Sequence, residues 1–413
     1  MAAPAAAAKS IYQVSPEGYL EFSPAFFEQC MRAYLEDPSL AVSAVRYLGE
    51  VGVTATTRMK YSGEPGANKD TLVGLFHYGI DYTSKGTARS VEVLVKSKTH
   101  YLELCERLAG VLAKSGIALP GLAARLAETE LYNTHMKEIQ VFRMQRGDPA
   151  FRRVLPAVYG TYVDDAARQY MVLEEFLAGA YVMKDYTDIT FWDNEVTEKA
   201  LRDFSRLHAA YYGKTDALVA QGWLGPTMDA ARMQRLAPLW TAYAERMRAF
   251  VNRLFDQQYL DLHFRWIETI PEWWGKIDAL QKTLIFDDAQ IRNVAVRSPG
   301  KDPQLVLFDW ECAAIQLPQR DLVEFMSYTI SERTTPEEID ALIEAARAQL
   351  ETSSQQKIDP RTWWEGCLYS IYDFHVNRMA CQLVLHLTLT RPDIERVFRA
   401  SLRILERAQR RLA

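Results

Sequence analysis

The spacing of apolar and polar residues changes character near residue 177 of the chain. Before that point short apolar runs alternate with polar positions and are punctuated by Gly, Ser, Asn and Lys. Such punctuation predicts an antiparallel sheet. Val51, Val53, Thr54, Thr56, Thr57 and Met59 form a β-branched run suited to a strand. A turn-rich loop, Ser62–Asp70, follows, and then strands over Thr71–Tyr82 and Val91–Lys98 on either side of the turn TSKGTARS. LPAVYGTYVDD and QYMVLEEFL predict two more strands, so the sheet-rich part ends near Phe176. Helices are expected over residues 24–48 (Phe26, Phe27, Met31, Tyr34, Leu35), 100–114 and 128–144. In the last of these, Leu131, His135, Ile139 and Phe142 fall near helical spacing.

After about Gly179 the pattern turns helical. Leu201, Phe204, Leu207, His208 and Tyr211 share one face, with His208 read as a packed core residue. Residues 226–282 read as helices rich in Trp and Tyr. A hairpin is expected over 284–309 with SPGKDP as its turn, and then a helix with Leu322, Phe325, Met326 and Thr329 in register. Helices over 338–350, 361–390 and 392–412 close the chain. The last carries Arg396, Arg399, Arg403, Arg407 and Arg410 on a face expected to be solvated. The fold class is therefore α+β and bilobal. Residues 1–50 form a leader and helical extension, 51–176 a lobe built on an antiparallel sheet, and 177–413 a larger, mainly helical lobe.

Composition narrows the function. The 413 residues suit two or three lobes. A net charge of −5 argues against non-specific nucleic-acid binding. Cys30, Cys105, Cys312, Cys367 and Cys381 show no C-x-x-C pair, which reads as reduced cytoplasmic thiols. The start, MAAPAAAAKS, lacks a basic region and a Leu-rich core and is read as a disordered leader. No apolar run reaches the ~18 residues of a membrane span.

The candidate chemistry lies between Phe286 and Trp310. Asp288 follows the apolar run LIF, Asn293 comes five positions later, and Asp309 ends the run QLVLF. Phosphoryl transfer from ATP needs a carboxylate to orient the attacking hydroxyl. It also needs an amide oxygen and a second carboxylate to hold Mg²⁺. That assigns Asp288 as catalytic base and Asn293 and Asp309 as Mg²⁺ ligands, a small protein contribution of the kind Mg²⁺ prefers. Lys96, ending the strand VEVLV, is the candidate phosphate clamp, with Lys98 its rival two residues on. Glu138 is the candidate partner of Lys96, ahead of Glu128 and Glu130. Ser62, Gly63 and Gly66 could cover phosphates through backbone N–H groups. The segment Val172–Phe176, with Glu174 and Phe176, could present its backbone to an adenine edge.

These residues resemble the aminoglycoside phosphotransferase and choline kinase superfamily, small-molecule kinases with a protein-kinase-like fold. The family's H-G-D-x-x-x-x-N or H-N-D-x-x-x-x-N corresponds to Phe286-Asp287-Asp288 through Asn293. Its I-D-W-E corresponds to Phe308–Glu311, its P-x-x-D-L to Pro318–Leu322, its L-H-A to Leu207–Ala209 and its L-E-E/D to Leu173–Glu175. The resemblance spans about Val51 to Met326. It implies ATP and Mg²⁺ as cofactors, a nucleotide-binding role for the first lobe, Lys96 and Glu138 as the Lys–Glu pair, and Asp321 as a brace for the catalytic loop. Phe286 stands where the family has His.

The expected function is an ATP- and Mg²⁺-dependent phosphotransferase acting on a hydroxyl of a small molecule (an antibiotic, amino alcohol or other metabolite). The expected protein is a cytoplasmic monomer or homodimer without nucleic-acid or membrane partners. The alternative is a nucleotide-binding pseudokinase or regulatory module, on the strength of Phe286. A protein kinase is disfavoured, because D-F-G, A-P-E and G-x-G-x-x-G are missing. The aromatic second lobe, Trp274 included, is expected to be mostly core. Glu268, Glu272, Glu324 and Asp373 are expected to attract an amine-bearing acceptor.

Overall fold

The computed structural model describes residues 11–15, 20–51, 72–144, 146–183, 185–298 and 302–413. The chain divides into two compact units. One comprises residues up to Leu104 with Pro156–Ala178, and the other Cys105–Leu155 with Gly179–Ala413. The helical residues 105–155, placed in the first lobe by their position in sequence, thus pack with the second unit.

The first unit is a five-stranded antiparallel sheet. Its strands are β1 (Ala41–Glu50), β2 (Gly74–Ser84), β3 (Thr87–Lys98), β4 (Val158–Asp164) and β5 (Gln169–Glu175), in the order β1-β2-β3-β5-β4. β2 and β3 meet at a two-residue turn in which Lys85 and Gly86 both have positive φ (50° and 76°). That is the primed geometry matching the twist of a hairpin. Phe76, Tyr78, Ile80 and Tyr82 of β2 alternate onto one face. With Val93, Val95, Met171 and Leu173 they form a core against Phe26, Phe27 and Met31 of helix α1 (Pro24–Leu35). The helix expected over 24–48 therefore stops early. Glu36 turns left-handed, Asp37 precedes Pro38 and is biased away from helix, and Val42 and Val45 go into β1 instead. Beyond Val51, the expected strand from Val51 and the Ser62–Asp70 loop, with Ser62, Gly63 and Gly66, lie outside the described residues.

The second unit is mainly helical with two small antiparallel sheets. Its helices include α2 (Thr134–Met144), α3 (Asn194–His208), α4 (Gln319–Thr329), α5 (Pro360–Asp373) and α6 (Ile394–Leu412). β6 (Thr283–Ile285) pairs with β9 (Ala314–Gln316), and β7 (Val294–Arg297) pairs with β8 (Gln304–Leu307). The hairpin expected over 284–309 is thus confined to β7 and β8. Asp287, at φ 54°, and the 3-10 turn Ile291–Asn293 bend the chain between β6 and β7, which frees β6 to pair elsewhere. α2 begins at Thr134 rather than near Glu128, because Asn133 is left-handed. α4 is buried all round, Arg320, Asp321 and Glu324 included. α5 runs into a π-helical stretch, Phe374–Met379. The basic face of α6 is not simply solvated. Arg396 and Arg403 bond the carbonyls of Tyr328 and Ser331, and Arg407 and Arg411 pair with Asp340.

Candidate active site

β6 leads directly into the loop Phe286–Asp288, and the loop is held from α4. The backbone N–H groups of Phe286 and Asp287 donate to Oδ2 and Oδ1 of Asp321, each at 2.8 Å. Asp321 is fully buried, and His208 Nε2 lies 2.8 Å from its Oδ2. His208 is therefore a bonded brace as well as a core residue. Asp287 adopts the left-handed conformation that Gly and Asn favour and Asp tolerates. The family motif has Gly or Asn at this position, so the second residue of FDD satisfies the same backbone demand. Phe286 is fully buried and packs edge-on against Trp310, with ring centroids 4.9 Å apart.

Asp288 is fixed on both carboxylate oxygens. Asn293 Nδ2 donates to Oδ2 at 2.7 Å, and Gln290 Nε2 donates to Oδ1 at 2.7 Å. Arg378 Nη1 lies 3.3 Å from Oδ1. Burial pushes the Asp288 pKa up to about 6, against the pull of the Arg378 charge. The five-residue spacing works because the 3-10 turn at Ile291–Asn293 folds the Asn293 side chain back onto Asp288. Its amide nitrogen makes the bonds to Asp288 Oδ2 and to Asp288 O, so the amide oxygen is not spent on Asp288.

The β7–β8 ladder brings the next acid alongside. Val294 pairs with Leu307, and Phe308 N donates to Asn293 O at 3.1 Å. Asp309 follows, with left-handed backbone (φ 72°). Its N–H donates to Glu138 Oε1 at 2.9 Å, and the N–H of Trp310 reaches the same oxygen at 3.3 Å. Glu138, on α2, is fully buried. In the first unit, Lys96 Nζ lies 3.7 Å from Glu174 Oε1 on the adjacent strand. Lys96 and Lys98 are both buried. Phe176 N donates to Glu92 O at 3.1 Å, so that amide is engaged within the sheet, and the Phe176 ring stacks on His77 at 3.7 Å.

Sequence reasoning missed the charged network behind the loop. Arg320 contacts Glu324 Oε2 (2.6 Å), Asp373 Oδ2 (3.1 Å) and Asp287 Oδ1 (3.4 Å). Arg378, on the π-helical stretch, donates to Asp287 O (2.6 Å) and lies 3.6 Å from Glu130. Arg320 sits inside the PQRDL segment, beside the brace Asp321. Arg378 lies 90 residues from Asp288 in an apolar helical run and gives no local signal. Most of the aromatics are core, as expected. Trp240, Tyr243, Trp266, Trp273, Trp274 and Trp363 are all buried.

The sequence model of the phosphotransferase enzyme family matches residues 103–355, and the chain belongs to that family. No curated protein matches it. Among solved structures, it is similar to choline kinase LicA from Streptococcus pneumoniae (12% identity, 88% of this chain and 94% of that one, TM-score 0.42). It is also similar to the GDP complex of aminoglycoside 2'-phosphotransferase-IIIa (12% identity, 94% and 99%, TM-score 0.42). A third likeness is to a Plasmodium vivax ethanolamine kinase (11% identity, 91% and 84%, TM-score 0.36). Likeness at that level leaves function to the family match and the geometry.

Proposed function

We propose that this chain transfers the γ-phosphoryl group of ATP to a hydroxyl of a small molecule, with Mg²⁺ as cofactor. The observation that carries the reading is Asp288, which is held on both oxygens and set on a loop whose backbone Asp321 fixes. The acceptor oxygen attacks the γ-phosphorus and the bond to the β-phosphate oxygen breaks. The electron pair leaves with that oxygen as ADP, and the acceptor proton passes to the Asp288 carboxylate.

The donor set fits a magnesium ion. Asn293 and Asp309 would hold it, one amide oxygen and one carboxylate on adjacent ends of the β7–β8 ladder. Among the described residues no group of three or more His, Cys, Asp or Glu is placed to hold a metal ion, so phosphate oxygens and water would complete the shell of the ion. When bound, Mg²⁺ neutralises phosphate charge and aligns the transferring group. Glu138 sets the Asp309 turn, and Lys96, buried beside Glu174, supplies a charge for the nucleotide phosphates. The Phe176 N–H and C=O are already engaged with Glu92 O and Ala178 N, so its backbone does not serve an adenine edge, and Glu174 lies within the sheet between β3 and β4. The donor nucleotide makes the cytoplasm the expected compartment, with the chain acting as a monomer or homodimer. Among the described residues no helix is long and apolar enough to cross a membrane.

Phe286 does not favour the pseudokinase alternative. Its side chain fills an apolar contact with Trp310, and its backbone is still braced by Asp321. The test is nucleotide turnover by the full chain with Mg²⁺-ATP and pooled hydroxylated acceptors. Acceptor-dependent ADP release should fall 10²–10⁴-fold in Asp288→Asn, the span of a general base. Undiminished release in that variant would contradict the assignment.

A further inference from the structure

The catalytic loop is also held from the far end of the chain, beyond residue 355, where the family match ends. α5 passes into the π-helical stretch Phe374–Met379, every residue of which is buried. An extra residue in a helical turn shifts the register of the side chains, and such turns recur at functional sites. Here the turn carries Arg378 to the loop. Its Nη1 lies 3.3 Å from Asp288 Oδ1, and its Nη2 donates to Asp287 O at 2.6 Å. One guanidinium thus grips the Asp288 side chain and the backbone of the residue before it. Glu130 at 3.6 Å and the Asp287 carboxylate at 3.9 Å balance its charge, Glu324 adds attraction, and Arg320 opposes it. Glu324 and Asp373, expected to attract an amine-bearing acceptor, are committed to Arg320 instead. A second arm comes from the segment after the helix Ala380–Leu389. Arg391 Nη2 lies 3.4 Å from Gln290 Oε1, and Gln290 Nε2 in turn donates to Asp288 Oδ1 at 2.7 Å.

An ionised carboxylate offers about two lone-pair sites on each oxygen. Two donors, Gln290 and Arg378, occupy Oδ1 of Asp288, whereas Oδ2 has one, Asn293 Nδ2, among the described residues. The open acceptor position is therefore on Oδ2. Phe286 brings no polar side chain to the loop. Its polar holds are Asp321 on the amides and Arg378 on the Asp287 carbonyl. We propose that Arg378 is a positioning residue for phosphoryl transfer. It fills Oδ1 and fixes the loop, so that the acceptor hydroxyl meets Oδ2; the proposal rests on the phosphotransferase reading above. As the acceptor oxygen bonds to the γ-phosphorus, its proton passes to Oδ2 and the bridging oxygen leaves with the electron pair as part of ADP. Arg378 neither gains nor loses a proton, because a guanidinium stays charged.

The test compares the full wild-type chain with Arg378→Lys and Arg378→Ala, each given Mg²⁺-ATP and the pooled hydroxylated acceptors. Lysine keeps the charge that Glu130 and Asp287 balance but lacks the fork that reaches two partners at once. Arg378→Lys should therefore melt close to the wild type, and it carries the test if Arg378→Ala does not fold. Its kcat should fall about 10²-fold, the scale of a misplaced reacting group. The KM for ATP and the nucleotide-induced rise in melting temperature should stay as in the wild type, the pattern of a group that acts in the transition state and not in binding. Guanidinium below denaturing concentrations should restore part of the turnover of Arg378→Ala and none of that of Asp288→Asn. A wild-type kcat in the Lys variant, or a kcat that falls only in step with melting temperature and ATP affinity, would overturn this proposal and leave the phosphotransferase reading standing. A wild-type chain that phosphorylates no acceptor would sink that reading and this proposal with it.

Discussion

At the scale of single residues, Asp321 does the most to shape the site. Three groups converge on its buried carboxylate: the Phe286 and Asp287 amides and His208. Asp321→Ala should cost about 3–5 kcal/mol in a urea titration, the range for breaking a buried charged network, and should depress turnover with it. Two buried histidines set the acid limit of stability. Burial lowers the pKa of both His263 and His375 to about 3. Their neutral forms support the fold above the unfolded value near 6.5. That support is lost as pH falls toward 3, because the unfolded chain takes up protons that the folded chain refuses. The loss at pH 5 is about 2 kcal/mol per histidine. Neither ring nitrogen of His263 has a hydrogen-bond partner among the described residues, so His263→Phe should flatten the acid slope without weakening the protein at pH 7. An unchanged slope would refute the assignment. The trio Asp288, Asn293 and Asp309 was legible in sequence because it is built from a local turn and one ladder. Arg378 and Glu130 were not, because they reach the loop only through tertiary packing.

At the scale of elements, sequence pattern located most helices and strands but misjudged where the chain turns. The apolar run after Phe26 looked like one long helix. Only the Asp37-Pro38 step and the β-branched residues beyond it mark the change to strand. The 284–309 segment looked like one hairpin because periodicity carries no record of the left-handed turn at Asp287. Two glycines separate turn chemistry from packing. Gly86 has φ 76° and open space around it, so Gly86→Ala should cost about 1–2 kcal/mol, purely conformational. At Gly160 a Cβ would sit 2.8 Å from Cys30 Cβ. Gly160→Ala should cost about 1–3 kcal/mol by prising α1 from the sheet. Melting both variants checks this; no loss at Gly160 would mean that α1 does not pack as described.

At the scale of the molecule, sequence order could not reveal that residues 105–155 belong with the second unit. The chain leaves the sheet at Lys98 and returns to it at Val158. That arrangement puts Glu138 in the same unit as Asp309, whose turn it fixes. Chelation of Mg²⁺ should abolish turnover while leaving the melting temperature of the nucleotide-free chain unchanged, because Asp321, Gln290 and Asn293 hold the Asp288 loop through protein hydrogen bonds. The most direct test of the account follows the γ-phosphorus of labelled ATP in the presence of acceptor, for the wild-type chain and for Asp288→Asn. The account predicts label in an organic phosphate ester with the wild type. It predicts at least a hundredfold less with the variant, which should still be stabilised by nucleotide. Ester formation at equal rates in the two proteins, or label released only as inorganic phosphate, would contradict it.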